Sequence, residues 1–207
     1  MPDSRNVSDL HPYFAPMVSE VLRRAPARGL FPFVTSTRRP YALQACYYAQ
    51  GRLTPGTSAS YNGFTVATSL HDTVVMAQCR GEQIRVPRAE WSRKVTNAKP
   101  YESWHTLGFA VDFAFHSSAS AHDARYDAAL YRKLAALFSE VAPEVRWGGS
   151  WPTPDEPHFE WHPGITIGEA AAGVLPLHPK QCNRCGTFRD DFANEVCADC
   201  ARKGIAA

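Results

Sequence analysis

The residues with the most chemistry in this chain fall in two short stretches. Ser103-Trp104-His105 leads into Gly108, Ala110 and Asp112, and much later comes Asp155-Glu156-Pro157-His158-Phe159. Together they supply two imidazoles, a carboxylate ligand and a spare acid. That is the inventory of a catalytic zinc site, in which three protein ligands leave one coordination position open for water. Zinc lowers the pKa of its bound water to about 7, and a carboxylate left unligated nearby can accept the proton as hydroxide attacks a polarised substrate. The same carboxylate can then protonate the leaving group. Asp155, Glu156 and Glu160 are the candidates for that acid, Glu160 because it shares a strand face with His158 if His158-Phe159-Glu160-Trp161 is extended. A lone His is more often a surface residue or a hydrogen-bonded core residue, and a lone Asp in a strand often only pairs with an Arg. It is the combination that carries the signal.

These residues must be held by rigid elements. His105 and Asp112 lie seven residues apart, and Asp112 falls within an apolar alternation from Phe109 to Phe115 that predicts a strand. Phe109, Val111, Phe113 and Phe115 would share one face, leaving Asp112 to project between Ala110 and Ala114, where a metal has room. Further strands are expected at Phe31–Thr35, Val145–Trp147 and His158–Trp161, so both chemical stretches sit on strands or their approaches. Helices are expected at Ala15–Arg24, Pro40–Gln50 and Asp123–Val141, the last with apolar positions Tyr126, Leu130, Leu134, Leu137 and Val141. The expected class is α+β, a small antiparallel sheet flanked by helices and carrying the zinc site.

The stretch from Ser103 to Phe115 resembles the SxHxxGxAxD signature of the D-alanyl-D-alanine carboxypeptidase and VanY-like zinc peptidases, and Asp155 to Phe159 resembles their second motif. The L-alanyl-D-glutamate peptidase branch, well represented among phage endolysins, is the nearest likeness, with a second motif reading D-x-P-H-F. Thr35 to Arg39, Gln44, Tyr48 to Arg52, Pro55-Gly56, Val95 to Pro100 and Trp147-Gly148-Gly149 look like further landmarks in the same order. The resemblance implies that His105, Asp112 and His158 hold zinc and that Asp155 is the catalytic carboxylate, where many relatives have Glu. It also places Arg39, rather than Arg38, as the residue that grips a substrate carboxylate or the developing oxyanion, a task suited to a bidentate guanidinium. Ser103 is implied as a substrate contact. Trp104, Trp151 and Trp161 flank the motifs, but tryptophans are more often core than substrate platforms.

By the same resemblance the substrate is the peptidoglycan stem peptide, cut between L-alanine and D-glutamate by a phage or prophage endolysin held in the host bacterial cytoplasm before its release to the cell wall. A D-Ala-D-Ala carboxypeptidase or dipeptidase of the same family is the alternative enzyme, and a non-catalytic wall-binding protein the alternative of another class. Residues 57–94 depart from the family pattern as an insertion of roughly 38 residues, with β-prone patches at Phe64–Ala67, Thr73–Ala77 and Ile84–Val86 that predict a β-hairpin. His71 and Asp72 within it have no ligand spacing and read as a solvated turn.

Composition bounds the rest. With 207 residues, 44% of them hydrophobic, the chain supports one substantial core and a small appendage. A formal charge of +2 gives no electrostatic case for nucleic acid, no apolar run reaches membrane-spanning length, and MPDSRNVSDLHPYF reads as no secretory signal peptide. Cys182, Cys185, Cys197 and Cys200 form two CxxC pairs separated by eleven residues, the pattern of a zinc ribbon and hence of a second, structural zinc. Two disulfides are the competing assignment, disfavoured without an export signal. Cys46 and Cys79 read as buried small apolar residues. The expected organisation is a peptidase domain over 1–174, a proline-containing linker over 175–181 and a ribbon over 182–207. The ribbon's four basic residues against four acids do not mark it as a nucleic-acid binder.

Overall fold

The alternation around Asp112 forms the middle of a sheet. In the computed structural model, which describes residues 4–162 and 164–172, the chain runs α1 (Ala15–Arg24), β1 (Pro32–Ser36), α2 (Tyr41–Ala49), β2 (Ser58–Tyr61), β3 (Phe64–His71), β4 (Val74–Cys79), β5 (Glu82–Pro87), β6 (Ala110–Phe115), α3 (Ala128–Val141), β7 (Val145–Trp147), β8 (His158–Trp161) and α4 (Ile167–Ala171). The fold is α+β with two antiparallel four-stranded sheets, ordered β1-β6-β8-β7 and β2-β3-β4-β5. Residues through His162 form one unit and the chain from Pro163 a second. The described part of the second holds α4, started by a capping box between Thr166 and Glu169. The expected linker and zinc ribbon, with Cys182, Cys185, Cys197 and Cys200, lie outside the described residues.

The first sheet buries both faces by different means. On one, Val111, Phe113 and Phe115 of β6 and Phe159 of β8 pack under α3: the Phe113 ring lies 6.0 Å from Phe138 and 5.6 Å from Phe159, and Phe115 meets Tyr131 at 4.9 Å. Tyr131 is fully buried and donates its hydroxyl to the Phe113 carbonyl at 2.7 Å, which satisfies its one polar atom. On the other face Ala110 and Ala114 are so small that Asp112 stands between them with space above it, as the alternation predicts.

Helix α3 begins later than expected. The Asp127 side chain accepts from the Ala129 N–H and caps the helix there, so Tyr126 falls outside it and is exposed. Its buried stripe is Tyr131, Leu134, Leu137 and Phe138.

The segment expected to form a hairpin is a four-stranded meander instead. Tyr61 pairs with Phe64, His71 with Val74 and Cys79 with Glu82, so each connection is a two-residue turn. Asn62-Gly63 (φ 47° and 82°) and Arg80-Gly81 (φ 45° and 85°) take left-handed conformations at both turn positions, as a right-twisted hairpin requires. Phe64, Val66, Val75, Ala77, Ile84 and Val86 of this sheet cluster with Ala42, Ala45, Cys46 and Ala49 of α2. The meander is therefore a second core built on α2, with Cys46 and Cys79 buried inside it as expected.

Candidate functional site

His105 comes from a single 3-10 turn, Trp104–Leu107, which Gly108 ends in the left-handed region (φ +77°). A Cβ at Gly108 would lie 2.9 Å from the His11 amide nitrogen, and that N–H donates to the Gly108 carbonyl at 2.8 Å. The glycine thus closes the turn and lets the amino-terminal segment cross beneath it. Asp112 and His158 are direct partners across β6 and β8. In the same register Glu160 stands opposite Ala110 and Ser36 of β1 opposite Asp112, so all of them share one face.

This topology brings His105, Asp112 and His158 into a group able to hold a metal ion. His105 Nε2 lies 3.2 Å from His158 Nδ1 and 3.2 Å from Asp112 Oδ1, which is 3.1 Å from His158 Nδ1. The three atoms form a nearly equilateral triangle. Ligands about 2.0–2.1 Å from a tetrahedral zinc are separated by about 3.3 Å, so the triangle has the size of one face of that tetrahedron and leaves the fourth corner open. The donor set, two imidazoles and a carboxylate, fits zinc as well.

The ring orientations are fixed from behind. His105 Nδ1–H donates to the Thr37 carbonyl at 2.8 Å, which leaves Nε2 as the lone-pair nitrogen facing Asp112. His158 does the reverse: Nε2–H donates to Glu160 at 3.0 Å and Nδ1 faces the triangle. Glu160 in turn accepts from His162 Nε2 through its other oxygen. Burial pulls the His158 pKa down, but hydrogen bonds and charge from Asp112 and Glu160 outweigh it and raise it to about 10 without metal. Burial works against the charged form of Asp112 too, and the two histidines reverse the sign, holding it well below the ordinary carboxylate range. Glu160 is brought to about 2, its burial overcome by His158 and His162.

Asp155 opens the turn that delivers His158. Its N–H donates to the Gly148 carbonyl at 3.0 Å, and its own carbonyl accepts from the His158 N–H at 3.2 Å. Gly148 is required by this approach, because a Cβ there would lie 2.6 Å from the Asp155 carbonyl oxygen and 3.1 Å from the His158 Cβ. The Trp147 indole pins the next residue by donating to the Glu156 carbonyl at 2.8 Å. Burial raises the Asp155 pKa above the ordinary aspartate range, with Asp112 adding to the shift against the opposing pull of the histidines and Arg39. Asp155, Arg39, Ser103 and the three triangle residues all border one cavity of about 840 Å³.

Arg39 is positioned by Gln44, whose Oε1 accepts at 2.8 Å, by Ser36 Oγ at 3.2 Å and by the Tyr47 ring 4.9 Å below the guanidinium. Its Nη2 stands 3.9 Å from Asp112 Oδ2. Arg38, one residue earlier, is exposed and does not border the cavity. Trp151 lies 5.1 Å from the His158 ring and Trp104 borders the cavity beside His105, whereas Trp161 packs in the core against Phe109. Glu160 was one of three sequence candidates for an acid. The structure occupies both of its oxygens with histidines and leaves Asp155 and Glu160, but not Glu156, on the cavity wall. The role of His162 was missed, although the period-two spacing of His158, Glu160 and His162 signalled one shared face.

Residues 96–161 match a family model described as D-alanyl-D-alanine carboxypeptidase. The resemblance to that family therefore holds across the segment that carries both metal motifs. Among solved structures the chain is similar to the Serratia marcescens L-Ala D-Glu endopeptidase ChiX, with 20% identity and a TM-score of 0.45 over 76% of this chain and 84% of that one. A comparison with curated proteins gives no match. No helix among the described residues is long and apolar enough to cross a membrane.

Proposed function

We propose that the protein is a zinc-dependent peptidase that hydrolyses peptidoglycan stem peptides between L-alanine and D-glutamate. The observation that carries this reading is the near-equilateral triangle of His105, Asp112 and His158 with a fourth corner open, set in the same cavity as an acid, Asp155, whose pKa is raised. A zinc ion held by these three residues supplies Lewis acidity, lowering the pKa of a water molecule toward about 7 and polarising the scissile carbonyl. Asp155 accepts the proton of the attacking water and returns it to the departing amine, a role for which a carboxyl with a raised pKa is suited at both steps. Arg39, fixed by Gln44 and Tyr47, grips a substrate carboxylate or the oxyanion without having to be ordered first. Ser103 is read as a substrate contact on the same wall. Thr37 and Glu160 keep the lone pairs of the two imidazoles aimed at the metal.

The biological setting proposed is that of a phage or prophage endolysin, kept in the host cytoplasm before release to the wall; the resemblance of the second motif to D-x-P-H-F supports it. The four cysteines of residues 182–207 are read as a structural zinc ribbon joined by the linker over 175–181. The family model's description favours a second reading, removal of the terminal D-alanine from D-Ala-D-Ala. Mass spectrometry of digested muropeptides separates the two. New D-glutamyl amino termini support the first, and loss of a single alanine from the carboxyl end supports the second.

A further inference from the structure

Two cations on the cavity wall are not used by the chemistry above. Arg93 and Lys94 border the cavity together with Arg39 and Asp155, and both are exposed. Among the described residues neither side chain has a hydrogen bond or ion pair. Of the carboxylates on the same wall, Asp112 and Glu160 face histidines, Glu102 lies 3.9 Å from Lys99, and Asp155 is the acid assigned to the chemistry above.

The backbone that carries these cations is unusually well anchored. Gly51, at φ +74°, follows α2 so closely that a Cβ there would lie 2.7 Å from the Lys94 nitrogen and 2.9 Å from the Arg93 carbonyl carbon. The Gly51 N–H donates to the Trp91 carbonyl at 2.8 Å, the Trp91 indole donates to the Leu53 carbonyl at 2.6 Å, and Gln50 donates to the Glu90 carbonyl at 3.3 Å. Trp91 is itself buried in the core that the β2–β5 meander builds on α2. The inserted sheet thus ends by presenting two unpartnered cations from a rigid support on the rim of the cavity.

We propose that Arg93 and Lys94 form an anion subsite, distinct from Arg39, that selects substrates with a free carboxylate on the glutamyl residue of the scissile bond. This rests on the peptidase reading. A glutamyl residue in a peptide uses one carboxyl in the chain and leaves the other either free or amidated, so the substrate itself presents the group in two forms. The free form meets two cations, whereas the amide offers them no charge. The subsite is solvent-facing, so its contribution falls as salt rises.

The test uses the zinc-loaded full-length chain and two synthetic peptides, L-Ala-D-Glu-L-Lys with the glutamyl carboxyl free or amidated, assayed at low and high salt. The expected result is a kcat/KM about tenfold higher for the free acid, in keeping with charge-assisted contacts, and a preference that shrinks with salt. In Arg93→Gln/Lys94→Gln the preference disappears through a rise in KM for the free acid, and in Lys94→Glu it inverts toward the amide. Zinc content and circular dichroism confirm that the variants are folded and loaded. An undiminished preference in the folded double variant overturns the subsite while leaving the peptidase reading intact. Failure of the wild type to cut either peptide overturns that reading, and the subsite with it.

Discussion

At Asp155 the decision between ligand and base turns on one atom. Replacing its carboxylate with an amide leaves the His105, Asp112 and His158 triangle untouched, so Asp155→Asn is expected to keep its zinc and its fold while hydrolysis falls about 10²–10⁴-fold, the usual cost of losing a general base. Metal content measured beside activity checks this, and zinc loss in that variant would make Asp155 a ligand. His158 predicts a pH effect. Its pKa without metal is about 10, so at pH 7 it must shed a proton before Nδ1 can bind zinc, whereas Asp112 is already ionised. Zinc uptake by the stripped protein should release that proton, and the apparent affinity should rise by up to about tenfold per pH unit between pH 7 and 9. Calorimetry in buffers of different ionisation enthalpy measures it. The sign for the metal-free fold is the opposite. A raised histidine pKa stabilises fully below the unfolded value near 6.5, and that contribution is lost as pH climbs toward about 10. The convergence of His105, Asp112 and His158 was legible in sequence, because residue types and spacing mark each motif locally. The grip of Glu160 on His158 was not, since whether an acid faces the cavity or a histidine depends on side-chain orientation.

Among the elements, the turn from Trp147 to His158 is the tightest fit. In Gly148→Ala the new methyl meets the Asp155 carbonyl at 2.6 Å, so the turn must shift. The expected stability loss is about 1–3 kcal/mol, as for overpacking elsewhere, accompanied by a drop in activity larger than that of a destabilised but correctly shaped variant. Thermal unfolding and kcat/KM measured together check it. The central strand of the site was readable because its apolar alternation runs from Phe109 to Phe115. The ends of α3 and the form of the insertion were harder. Apolar spacing suggested an earlier start for α3, but the cap by Asp127 decided it, and the strand Ser58–Tyr61 was hidden because its Ser-Ala-Ser run carries no apolar patch of its own.

For the molecule as a whole, two metals are expected in separate parts of the chain. Elemental analysis of the purified protein should give two zinc ions, and Cys182→Ser/Cys185→Ser should lose one while muropeptide hydrolysis by the site at His105 persists. Retention of both would refute the ribbon. The pairing of Asp112 with His158 across β6 and β8 bears on how such a chain can change over generations. Deleting one residue within either strand turns its alternate side chains to the opposite face and separates Asp112 from His158. A change of length between α2 and His105 leaves that pairing in register, since His105 stands on a turn beyond it. Length variation in the lineage should therefore collect there and spare β6 and β8, so that new recognition surfaces can be spliced in while the Asp112–His158 pair is passed on unaltered.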